Sequence, residues 1–71
     1  MTKVVIHFRL QSPLTERQLA RLSDARCVYG VLGISIEDSG AGLAVEYDAT
    51  RLRPEEVETV LRGKEIPVVR V

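Results

Sequence analysis

Four short apolar stretches, separated twice by segments of helical spacing, constrain this 71-residue chain more than any single residue does. In Val4-Val5-Ile6-His7-Phe8-Arg9-Leu10, side chains alternate, with Val4, Ile6, Phe8 and Leu10 on one side and Val5, His7 and Arg9 on the other. That period of two is the mark of a strand with one buried face. Ile34-Ser35-Ile36-Glu37 and Leu43-Ala44-Val45-Glu46-Tyr47 repeat it around the turn cluster Asp38-Ser39-Gly40-Ala41-Gly42, which makes the pair a β-hairpin. Pro67-Val68-Val69-Arg70-Val71 closes the chain as a further strand.

Helix-start signals fill the gaps. Ser12-Pro13 reads as an N-cap and first helical residue, and Thr15 is a second candidate cap with Gln18 three residues on. The helix that follows runs to about Cys27 with a thin buried stripe of Leu19 and Leu22, assisted by Ala25 and Leu14. Pro54-Glu55-Glu56 opens a second helix, with proline at the first position and two acids where the dipole favours them. Leu52 and Val57 are spaced for a hydrophobic staple, Val57, Val60 and Leu61 supply its buried face, and Gly63 is the expected C-terminal cap.

The order β-α-β-β-α-β predicts an α+β, ferredoxin-like sandwich. It has a four-stranded antiparallel sheet, order 4-1-3-2, with both helices on one face. Val4, Ile6, Phe8, Ile34, Ile36, Leu43, Val45, Tyr47, Val69 and Val71 should face the helices. Val5, His7, Arg9, Glu46, Val68 and Arg70 should line the uncovered face, with His7 and Glu46 in reach of each other and Glu37 or Arg70 also plausible beside His7. Residues 1–71 are expected to form one domain.

Composition removes several functions. Ten basic residues balance ten acidic ones, so the chain has no charge excess to bind nucleic acid or an anionic membrane surface. An apolar content of 45% is that of a folded chain, not a disordered one. The opening Met1-Thr2-Lys3-Val4-Val5-Ile6-His7 is too polar for a secretory signal, and a cytoplasmic location is the expectation. No grouping of Ser, His and Asp supports nucleophilic catalysis, and no glycine loop cradles phosphate. Acylphosphatases share the topology but need an asparagine, which this chain lacks. A non-enzymatic role without a cofactor is expected.

Val28-Tyr29-Gly30-Val31, Ile34 and Ile36, Val45-Glu46-Tyr47-Asp48, and Pro54-Glu55-Glu56-Val57 with Leu61 together resemble the heavy-metal-associated domain. That family includes small copper chaperones, mercuric-ion binding proteins and N-terminal domains of metal-pumping ATPases. The resemblance implies the ferredoxin-like fold and contacts with partner proteins. It also implies a G-M-x-C-x-x-C segment after the first strand, where this chain reads Gln11-Ser12-Pro13-Leu14-Thr15-Glu16-Arg17. Counting back from Gly30 without gaps puts Leu14 and Arg17 at the cysteine positions; a one-residue shift, which brings Leu22 into the buried stripe, puts Thr15 and Gln18 there. Neither register supplies a thiol. The lone Cys27 lies at the far end of the helix and is expected to be a small, partly buried apolar residue.

Three readings of function remain. The first is a heavy-metal-associated-type domain that has lost its metal site and acts on a protein partner, with Arg17 and Arg21, one turn apart on the exposed side of the first helix, as the candidate contacts. A homodimer through the uncovered sheet face is a related possibility. The second is a small-ligand regulatory module similar to ACT or NIL domains, which share the topology; Gly42-Leu43-Ala44-Val45-Glu46 and Pro67-Val68-Val69 suit the latter. The third is a metal carrier with non-standard ligands.

Overall fold

The computed structural model describes residues 2–70. Its elements are β1 (Lys3–Leu10), α1 (Glu16–Ala25), β2 (Val31–Glu37), β3 (Gly42–Asp48), α2 (Pro54–Gly63) and β4 (Val68–Arg70). The strands form one antiparallel sheet in the order β2-β3-β1-β4, the predicted order read from the other edge.

Alternation in β1 becomes a burial pattern. Phe8 and Leu10 are buried, Val4 and Ile6 pack against the core, and Lys3, Val5, His7 and Arg9 are exposed. In the register Val4↔Tyr47, Ile6↔Val45 and Phe8↔Leu43, every pair holds apolar residues on the helix side. Leu22 and Ala25 of α1, Val57 and Leu61 of α2, and Ile66 and Val68 close the core over them.

The helix starts follow local chemistry. Thr15, not Ser12, caps α1: its Oγ1 accepts from the Gln18 amide at 3.2 Å, and the Gln18 side chain accepts from the Thr15 amide at 2.9 Å. This reciprocal box satisfies two amides that a helix start leaves unpaired. Ser12 and Pro13 therefore remain in the loop. At α2, Glu56 Oε1 accepts from the Arg53 amide at 3.0 Å, and Pro54 occupies the first turn, where no amide is required.

Gly63 is not the terminator of α2. It is the last helical residue, and the left-handed position two residues on is held by Glu65 at φ 65°. The Ile66 amide donates to Leu61 O and the Glu65 amide to Arg62 O, both at 3.0 Å. This is a Schellman closure, with buried Ile66 packed over the last turn of a helix whose Leu61 is also buried.

Five residues lie otherwise than expected. Val68 is 2% exposed and lies in the core, whereas Val69 is 39% exposed. The strand is anchored by Leu10↔Val68 and by the Gln11 amide donating to Pro67 O at 2.9 Å, which sets β4 one residue away from the expected phase. Arg70 consequently pairs with Phe8 rather than standing on the uncovered face with Arg9, which pairs with Val69. Val71 lies outside the described residues. Finally, Leu19 and Ile36 are exposed at 42% and 51%, because a ten-residue α1 that buries Leu22 and Ala25 does not reach over the end of β2.

Gly30, in the turn before β2, has φ 100°. A Cβ there would stand 2.8 Å from Leu52 Cγ, so both the backbone and the close approach of Leu52 require glycine.

Candidate functional site

Three segments meet at the pole where β1 ends: the loop 11–15 with the start of α1, the tight turn 38–41, and the loop 64–67 before β4. Leu10, Gln11, Ser12, Pro13, Leu14, Leu19, Ile36 and Ala41 line an open groove of about 490 Å³ between the first two. Its walls are mostly hydrocarbon. Leu14 is half-buried against the core, while Leu19 and Ile36 leave apolar surface in solvent.

Glu65 fastens the third segment to the first. Its carboxylate lies 3.7 Å from Arg17, and its carbonyl accepts from Gln18 Nε2 at 3.1 Å. The ion pair is exposed on both sides, so solvent screens it. Arg17 is thus an exposed, weakly paired cation, while Arg21 is half-buried on α1 rather than fully exposed. No pattern in the sequence announced Glu65, because a non-glycine left-handed residue has no compositional sign.

The uncovered face arranges its charges differently from expectation. Val5 is 48% exposed. His7 Nδ1 lies 2.8 Å from Glu37 Oε1, not beside Glu46. A carboxylate only accepts, so the bond places the ring proton on Nδ1. The contact crosses β3 diagonally, because His7 pairs with Ala44 and Glu37 with Gly42, two small residues that leave the path open. Glu46 instead faces Lys3 at 3.8 Å.

At the opposite pole, Asp48 is 5% exposed. Its Oδ1 accepts from the Thr50 hydroxyl at 2.7 Å, the Thr50 amide at 3.0 Å and the Thr2 amide at 3.2 Å. Arg51 Nε stands 3.6 Å from Oδ2, and its guanidinium stacks 4.5 Å from the Tyr29 ring centre. The Thr50 hydroxyl, and then its amide, hold the Asp48 carboxyl below the ordinary carboxylate range against the opposing effect of burial. This network organises the turn: the Asp48 amide donates to Gly30 O at 2.8 Å and the Ala49 amide to Thr2 O at 2.7 Å.

Cys27 is exposed, contrary to the expectation of partial burial, because α1 ends at Ala25 and leaves it in the following turn. Its Sγ lies 3.6 Å from Ser23 O. The intervening helix, at about 1.5 Å per residue, separates it from the loop 11–15. Cu(I) and similar soft ions require at least two thiolates at one point, and the chain has one cysteine. Among the described residues, no group of three or more His, Cys, Asp or Glu side chains converges to hold a metal ion. No helix among them is long and apolar enough to cross a membrane.

No protein-family model matches the chain, and no curated protein matches it by sequence. Solved structures match its fold closely. Oxidised MerP from Ralstonia metallidurans CH34 superposes with a TM-score of 0.78 over 97% of this chain and 97% of that one, at 8% identity. Apo-CopP from Helicobacter pylori gives 0.77 over 93% and 100%, at 18% identity. The copper(I)-loaded first domain of the human copper chaperone for superoxide dismutase gives 0.76 over 99% and 94%, at 20% identity. The chain therefore has the ferredoxin-like fold of heavy-metal-associated domains, as the sequence resemblance implied.

Proposed function

We propose that this chain is a non-enzymatic protein-docking module on the heavy-metal-associated scaffold, one that handles no soft metal ion of its own. The observation that carries the reading is the pole at the end of β1. The loop and first helical turn that carry the family's two cysteines hold Leu14, Thr15, Arg17 and Gln18 here, beside a groove walled by Leu10, Leu19 and Ile36. Hydrocarbon and a guanidinium recognise a protein surface, not a thiophilic cation. An acidic partner would meet Arg17, with Arg21 one turn on, and the groove beside them would take an apolar side chain.

Competition for Cu(I) against a thiol-rich chelator tests the metal half. The wild-type chain is expected to retain none, and retention of one equivalent per chain would overturn the reading. The reversal Arg17→Glu tests the docking half, because an exposed charge acts on association rate and salt sensitivity. Capture of partners at low salt should slow, with the thermal midpoint nearly unchanged. Equal capture by both forms would move the docking surface to the uncovered sheet face of Val5, His7, Arg9 and Glu46.

A further inference from the structure

The pole opposite the groove of Leu10, Leu19 and Ile36 carries an aromatic ring in water. Tyr29 is 71% exposed, more than any other large apolar or aromatic residue among those described. Its turn is nonetheless held from three sides. The Val31 amide donates to Val28 O at 3.0 Å, the Asp48 amide donates to Gly30 O at 2.8 Å, and Leu52 stands close against Gly30. A ring presented on a fixed turn offers contact area to a partner with little ordering cost.

Arg51 completes the platform. Its guanidinium lies 4.5 Å from the Tyr29 ring centre, and its Nε stands 3.6 Å from Asp48 Oδ2. At that separation the pair is ionic without a hydrogen bond. The hydrogen bonds to Asp48 come instead from Thr50 and Thr2. Ring and carboxylate therefore orient Arg51 while its N–H groups remain for another acceptor. Arg26, exposed in the turn after α1, lines the same cavity of about 480 Å³ with Tyr29, Leu32, Thr50 and Arg51. Its helical neighbours three and four residues back, Ser23 and Leu22, are uncharged, and it forms no ion pair among the described residues. Two guanidinium groups thus face one concavity whose single carboxylate, Asp48, is 5% exposed. The acids Glu55 and Glu56 line a separate cavity with Leu52, Thr59 and Val60.

We propose that this pole is a second docking site, one that takes an acidic segment of a partner protein. A carboxylate sits between Arg26 and Arg51, and an adjoining apolar side chain rests on Tyr29 and on Leu32, which is 45% exposed. A guanidinium fork already oriented by its neighbours suits a carboxylate. Tyrosine and arginine are also the residues on which binding energy concentrates at interfaces. A small anion would use the two cations and leave the hydrocarbon of Leu32 unused, so the combination selects a peptide. The site shares no residue with the groove at the other pole and stands independently of docking there.

Amide-resonance titration of the full chain at low salt, with a blocked octapeptide of alternating glutamate and leucine, tests the proposal. Saturable shifts are expected at residues 26–32 and 50–51, with a dissociation constant below about 1 mM that rises with salt. The same peptide with glutamine for glutamate should bind about tenfold more weakly, and Arg26→Glu should weaken the acidic peptide by about as much. Tyr29→Ala should also weaken it and covers the case in which the first variant does not fold. Lys64→Glu, the same change of charge at the other pole, should leave the affinity unchanged. No saturable shift at millimolar peptide, shifts confined to residues 11–19, or equal binding of the glutamine peptide overturns the proposal. So does affinity that survives both Arg26→Glu and Tyr29→Ala, or that is lost equally to Lys64→Glu. Inorganic phosphate binding here as tightly as the acidic peptide also overturns it, since the cations alone would then make the site.

Discussion

Thr50 donates twice to one oxygen of Asp48, through its hydroxyl at 2.7 Å and its amide at 3.0 Å. That oxygen belongs to a carboxylate removed from water at the end of β3, and the two bonds favour its ionised form. Because the folded chain lowers this pKa, the resulting stabilisation is complete above the unfolded carboxylate value of about 3.9 and is lost as pH falls through the lowered folded value. Thr50→Val removes the hydroxyl bond while keeping the shape. The acid-unfolding midpoint, followed by circular dichroism, should therefore move to higher pH in the variant, with little change in its urea slope. An unchanged acid midpoint would show that the amide bonds alone hold the carboxylate.

The capping box of α1 separates the two ways of restoring a metal site. Thr15→Ala should cost about 1 kcal/mol, the usual loss for an N-cap, read from denaturant unfolding. The pair Leu14→Cys, Arg17→Cys leaves Thr15 and Gln18 intact. It should give a folded chain that competes for Cu(I), whereas Thr15→Cys, Gln18→Cys dismantles both halves of the box. The second pair should show the lower thermal midpoint without metal and regain stability on binding. Cu(I) retention by the second pair alone would establish the shifted register of the helix.

Neighbouring valines in β4 should respond in opposite ways. Val68→Ala empties space among Leu10, Leu61 and Ile66 and is expected to cost roughly 1–3 kcal/mol. Val69→Ala, on the exposed side, should stay within about 0.5 kcal/mol of wild type. Equal effects in denaturant melts would contradict the observed phase of the strand.

The fold itself was legible because its signals are local and redundant. Seven alternating residues in β1 fix a buried face by period alone, and Pro54 with two following acids fixes a helix start within one turn. Agreement of such cues along the chain leaves one order of elements, and handedness then leaves one sheet. Val68-Val69-Arg70 carries no such redundancy. Two adjacent valines satisfy either phase of a short strand, and the Schellman turn at Glu65 and the bond from Gln11 to Pro67 choose between them.

Side-chain partners were decided at the same level. His7 reaches Glu37 rather than Glu46 because Ala44 and Gly42 are small on the strand between, a choice between two acids that alternation alone left open. Leu19 and Ile36 are apolar in sequence and exposed in the structure, because burial depends on where a short helix sits over an edge strand. The sequence by itself determined the order of strands and helices and that two thiols are missing, since both are properties of neighbours and of composition, while the ends of α1 and the start of β2 at Val31 were left to the structure. The tertiary structure decided β4's phase and the partners of Glu65 and Asp48, since each depends on distances between segments far apart in the chain.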